Sequence, residues 1–186
     1  MADDFDDRGP RRVRCAELSG AAMAALLDGD LSKAGALTGV PLTAYFLTDR
    51  ARWLWRYRLG QMAADPGRAR WMVRQVLVGD GGLAVGHAGF HGPPDGTGTV
   101  EIGYSVAPAF RRRGYARSAV AELLRRAAAE PSVLTVRAAV APDNRASLAT
   151  IAGFGFAEVG EQWDEEDGRE LLFEVPARPA RKGGTA

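Results

Sequence analysis

Residues 99–106 read T-V-E-I-G-Y-S-V, with an apolar or aromatic side chain at every second position, and this alternation predicts a strand with one face buried. After a short turn the period changes. Ala119, Val120, Leu123, Leu124 and Ala127 recur at helical spacing, Glu122 stands four residues before Arg126, and Pro131 stops the helix near Glu130. Upstream, a short strand is expected within 13–16, and Ser19 caps an alanine-rich helix over about 20–27 that ends at Asp28-Gly29-Asp30. Residues 31–41 read as a glycine-containing connection, followed by a helix from Thr48 or Asp49 to Met62 that ends before Asp65-Pro66-Gly67. Strands are expected over 71–78 and 83–90, joined by the turn G-D-G-G at 79–82, with a second turn at 92–96. Downstream come a strand over 133–141, a short helix from Pro142-Asp143-Asn144 to Gly153 or Gly155, and a hairpin of 156–163 and 170–175. The order describes a single α/β domain over 13–175 with a mixed, mostly antiparallel sheet, and the polar tails 1–12 and 176–186 are expected to be disordered.

Bulk properties narrow the function classes. A chain of 186 residues, 46% hydrophobic and 25% charged, has the make-up of one soluble domain. Its net charge of +1 calls for neither nucleic acid nor an anionic membrane surface, and the arginines around 50–58 belong to no recognised nucleic-acid motif. The single cysteine, Cys15, excludes an internal disulfide and leaves no zinc cluster; with only His87 and His91 besides, no metal is expected. The acidic start M-A-D-D-F-D-D is no secretory signal and no run is long enough to span a membrane, which fits cytoplasmic residence. The sequence does not decide between a monomer and a homodimer.

Between the 99–106 strand and the next helix the chain reads S-V-A-P-A-F-R-R-R-G-Y-A over 105–116. The first amides of a helix lack intrahelical acceptors and carry the positive end of its dipole, so a strand, a short turn and a helix start form a cradle for a phosphate. Gly114 keeps a Cβ out of the way, and Arg111, Arg112 and Arg113 add charge; an ordinary helix start with solvated arginines is the other reading.

Arg111-x-x-Gly114-x-Ala116 after Val106-Ala107-Pro108 resembles the coenzyme A pyrophosphate loop of the GNAT superfamily of acyltransferases. Asn144-x-x-Ser147, then seven residues to Gly155-Phe156, resembles the second signature of that family, and E-I-G-Y at 101–104 adds to it. The likeness covers roughly 71–175 and is greatest to the branch of the ribosomal-protein N-terminal acetyltransferases. It implies a sheet whose two central parallel strands, 99–106 and 133–141, splay apart to bind acetyl-CoA. Ser105 and Val106 would then pair with the pantetheine, and the amides from Arg112 through Gly114 and Tyr115 to Ala116 would hold the pyrophosphate.

The same resemblance implies a base and an acid. Glu101 is the candidate base, through a water in the family's precedent; the alternative is a strand-end carboxylate paired with an arginine. Ile151 stands where many relatives carry the tyrosine that protonates the departing thiolate, so the candidate acid is Ser147, with Asn144 orienting it or the coenzyme. Both residues also read as a helix cap. Trp53 and Tyr57 share one face of their helix and Trp55, Leu59 and Met62 another, so Trp53, Trp55 or Tyr57 is a candidate wall for the acceptor pocket. His87 and His91 share, by period two, the face of Leu83, Val85 and Gly89, and His87 is a candidate acceptor contact. Tyr104 and Tyr115 read as packing residues. The acidic tip 164–167 would favour a cationic acceptor if it overhung the site. The expected activity is transfer of acetyl from acetyl-CoA to a primary amine, on a peptide N-terminus or a small molecule; the alternative is a non-catalytic acyl-CoA-binding module.

Overall fold

The structure, a computed structural model, describes residues 13–178 except 73, 79–81 and 167, with the backbone alone for 75–78. Among these residues seven strands form one sheet in the order β1-β2-β3-β4-β5-β7-β6. They are β1 (Arg14–Glu17), β2 (Arg74–Val78), β3 (Leu83–Phe90), β4 (Thr99–Val106), β5 (Thr135–Val140), β6 (Ala157–Asp164) and β7 (Gly168–Pro176). Neighbours run antiparallel except β4 and β5, which are parallel.

The helices are α1 (Gly20–Leu27), α2 (Leu31–Thr38), α3 (Asp49–Ala64), α4 (Tyr115–Ala129) and α5 (Arg145–Ala152). They divide between the two faces of the sheet. On one, the apolar stripe of α4, Ala119, Val120, Leu123 and Ala127, packs with Val100, Ile102 and Val106 of β4 and Val136, Ala138 and Val140 of β5. On the other, α1, α2 and α3 enclose Met23, Leu26, Phe46 and Trp55. The alternation read from 99–106 is therefore the sorting of side chains between these layers.

Four expectations change. Residues 31–38 form α2, capped by Asp30, whose Oδ1 accepts from Lys33 N at 2.8 Å, and not a bare connection. Trp71 ends a 3-10 turn (Pro66–Trp71) started by proline, so β2 begins only at Arg74. The ordered chain extends past 175: Ala177 is buried, and the Arg178 guanidinium donates to the carbonyls of Ala128 and Glu130 at the end of α4. The tail expectations for 1–12 and 179–186, and the turn residues 79–81, lie outside the described residues.

The fourth concerns the histidines. β2 pairs Val76 with Gly86 but Leu77 with Ala84, so Val85 has no opposite number and β3 carries a bulge. The bulge reverses the facing of the residues beyond it. Leu83 and Val85 lie in the α4 layer, whereas His87 stacks on Tyr45 at 5.9 Å in the other. Just past the bulge, a Cβ on Gly86 would fall 2.1 Å from Ser105 O, so only glycine lets β3 and β4 approach there.

Candidate active site

The parallel pairing of β4 with β5 covers Thr99, Val100 and Glu101, opposite Thr135, Val136 and Arg137. Beyond Glu101 the strands part. In the antiparallel ladder on the other side, His91 N donates to Glu101 O and Ala107 N to Val85 O, both at 2.8 Å. By the alternation of such ladders, residues 101, 103, 105 and 107 turn their backbone to β3, and Ile102, Tyr104 and Val106 turn theirs to the gap. Ser105 thus offers the gap no backbone groups, and its hydroxyl is bonded to the Tyr45 hydroxyl. Val106 O accepts from Arg111 Nε at 3.0 Å.

A cavity of about 890 Å³ opens at this fork. Glu101, His87, His91, Ser105, Tyr45 and Arg58 line it from one side, and Asn144, Ser147 and the tip of the β6–β7 hairpin from the other. Trp53 and Tyr57 stand at its edge, stacked at 5.4 Å and both exposed. Trp55 does not line it. Its side chain is wholly buried, its Nε1 donates to Phe46 O at 2.8 Å, and it meets His87 edge-on from behind. The reason is helical phase: positions 53 and 57 share the outer face of α3 and 55 the inner one.

Glu101 does not stand alone, since His91 Nδ1 lies 2.8 Å from its Oε1. His87 is held neutral: burial, then the guanidinium charges of Arg58 and Arg50, push its pKa down to about 4. Asn144 is the N-cap of α5, its Oδ1 accepting from Ser147 N at 3.1 Å. Tyr104 reaches the same helix and donates to Ser147 O at 3.4 Å, and burial raises the pKa of its phenol.

Two of these residues escape a reading by motif. Tyr45 sits in a 3-10 turn (Ala44–Leu47) with no strand or helix period to mark it. Arg58 is 4% exposed, with NH1 donating to His91 O and to Gln61 Oε1, each at 2.8 Å. Its position three residues after Trp55 on the buried face of α3 was the available signal.

The turn before α4 lies at the end of β4. Arg112 has φ 60° and Gly114 φ 80°, left-handed positions that gather backbone N–H groups into a concavity of the kind that holds anions. Helices α1, α2, α3 and α5 each carry a side-chain N-cap, from Ser19, Asp30, Thr48 and Asn144 respectively, while α4 has none among the described residues. No side chain therefore competes with an anion for the first turn of α4. The Tyr115 side chain is buried in the core and does not face that concavity. Arg113 lies over Phe110 and Arg117 over Phe154.

The family model for the acetyltransferase (GNAT) domain matches residues 39–157, which include the fork, the cradle and α5. The chain belongs to the GNAT acetyltransferase family. A curated relative, the uncharacterized N-acetyltransferase YjdG of Bacillus subtilis, is 36% identical over 72 residues, 39% of this chain and 43% of that protein. Among solved structures, Mycobacterium smegmatis RimJ in complex with CoA-disulfide has a TM-score of 0.60 at 22% identity, over 91% of this chain and 86% of that one. The phosphinothricin acetyltransferase of Sinorhizobium meliloti, in complex with AcCoA, has a TM-score of 0.58 at 16% identity, over 88% of each chain. These likenesses establish the fold. The uncapped helix and the backbone groups turned into the gap fit the coenzyme of this family, which presents a pyrophosphate and a peptide-like arm. Among the described residues no group of His, Cys, Asp and Glu is arranged to hold a metal, and no helix is long and apolar enough to cross a membrane.

Proposed function

We propose that this protein moves the acetyl group of acetyl-CoA to a primary amine by direct attack. The observation that carries the reading is the fork between β4 and β5, where Glu101 and Ser147 line one cavity. The amides of 112–116 would bind the pyrophosphate, and the backbone of Ile102, Tyr104 and Val106 would pair with the pantetheine as an added strand does. The amine would enter past Trp53 and Tyr57, lose its proton to the Glu101–His91 pair, and attack the thioester carbonyl. The Ser147 hydroxyl, presented by the first turn of α5, would donate to the departing sulfur. Cys15 is unsuited to a covalent intermediate, because burial raises its thiol pKa to about 11 and it lies outside the cavity.

The cavity favours a cationic acceptor. Asp143, Asp164, Glu165, Glu166 and Glu170 line it together with Glu101, against the guanidinium groups of Arg50 and Arg58. A peptide α-amine and a polyamine both answer that description, and the resemblance of the sequence motifs to the branch of the ribosomal-protein N-terminal acetyltransferases leans toward the first.

The test is coenzyme A release from acetyl-CoA over peptides with free α-amines, polyamines and aminoglycosides, with Glu101→Gln beside the parent. Acceptor-dependent release that falls by about a hundredfold in the variant is expected. Release untouched by the substitution would remove Glu101 from the chemistry. Binding of acetyl-CoA without release to any amine would favour the binding-module reading.

A further inference from the structure

The Glu101 carboxylate has a partner whose geometry bears on where the amine proton goes. At 2.8 Å from Oε1, His91 Nδ1 carries a hydrogen and donates it to the carboxylate. That bond sets the tautomer and leaves the lone pair on Nε2. Nε2 lies over Gly103, where a Cβ would approach it to 2.6 Å, so the missing side chain gives the ring its place. Gly103 is two residues beyond the last β4–β5 pair, at the root of the fork. The backbone of His91 is held as well, its N–H by Glu101 O and its carbonyl by the buried Arg58, each at 2.8 Å. Half of the His91 side chain, 49%, is exposed, against 26% for Glu101, and it lines the cavity. Imidazole and carboxylate thus both face the cavity an amine would enter, the imidazole being the more exposed of the two.

We infer that His91 Nε2, oriented by Glu101, is the atom that takes the proton from the attacking amine. The inference rests on the transferase reading above. In the step, the amine lone pair forms the N–C bond to the thioester carbonyl, and the resulting N–H proton passes to Nε2 while Nδ1 keeps its hydrogen on Glu101. Collapse of the tetrahedral adduct breaks the C–S bond, and its electron pair leaves with sulfur, which is protonated by the Ser147 hydroxyl and through it by water. The imidazolium returns its proton to solvent. Glu101 is then a positioning residue. Among the charged groups nearby, Arg58 of α3 is held at the His91 carbonyl, and Arg137, opposite Glu101 in β5, faces Glu174 at 2.6 Å.

The experiment compares kcat and KM for His91→Ala, His91→Gln and Glu101→Gln with the parent, each with and without added imidazole. Both His91 variants should lose about a hundredfold in kcat with KM for acetyl-CoA unchanged, and free imidazole should restore activity to His91→Ala alone. Glu101→Gln should lower kcat without any rescue. His91 variants that keep the parent's kcat, or a loss in His91→Ala that imidazole does not restore in a variant still binding acetyl-CoA, would overturn the assignment and leave the transferase reading standing. A parent inactive toward every amine would overturn both.

Discussion

His87 illustrates how neighbours set the charge of a single residue. Tyr45 stacks on it at 5.9 Å and Trp55 meets it edge-on at 5.2 Å, so a proton on the ring would sit in a largely apolar setting near Arg58 and Arg50. Its folded pKa of about 4 lies below the ordinary imidazole value of about 6.5. Between those values the unfolded chain binds the extra proton and the folded one does not, so stability is full above the upper value and falls as pH drops toward the lower. Because the ring also lines the cavity and meets water there, the parent should lose at most about 2 kcal/mol from this group between pH 7 and pH 4.5. In urea unfolding at the two pH values, His87→Phe should lose correspondingly less, and parallel losses would clear His87 of the effect. Period two placed this ring on the same face as Leu83 and Val85, because nothing in L-A-V-G-H announces which residue will be bulged. The close approach at Gly86 that accompanies the bulge is a property of two strands together, and one strand's sequence does not carry it.

Among the elements, α5 joins a structural and a chemical role that the spacing Asn144-x-x-Ser147 left open. Asn144 Oδ1 accepts from Ser147 N, so the cap that starts the helix also fixes the backbone that presents the candidate acid. Asn144→Ala should cost about 1 kcal/mol in denaturant unfolding, and Asn144→Asp, another good cap, should return most of it. If activity follows stability through this pair, Asn144 acts as a cap; if Asn144→Asp folds like the parent yet loses activity, its amide acts on the coenzyme. The α4 start and the strand beside it were legible because glycine, arginine run and alternation lie contiguously in the chain. Helix α2 was not, since L-S-K-A-G-A-L-T buries only Ala34 and so shows no apolar stripe, although Asp30 as N-cap and Gly39 with φ 68° as C-cap mark its ends.

For the molecule as a whole, the sequence supported one domain, a mixed sheet and a parallel pair beside the arginine-glycine turn before α4. It could not supply what arises only when distant segments meet: Tyr45 against Ser105, Arg58 under His91, and the hairpin tip facing α3 across the cavity. The parting of β4 from β5 has a mechanical consequence. Among the described residues, the backbone ladder between the β1–β4 half of the sheet and the β5–β7 half is short: three paired positions, with Gly98 O accepting from Leu134 N and Thr135 N just before them. A coenzyme arm lying in the fork would act as a splint, supplying rungs that no strand provides. Amide exchange should record this as a period of two: on adding coenzyme A, Tyr104 and Val106 should slow sharply, while Gly103 and Ser105, already bonded to β3, should change little. Uniform slowing along β4 would mean that the ligand stiffens the strand without pairing to it.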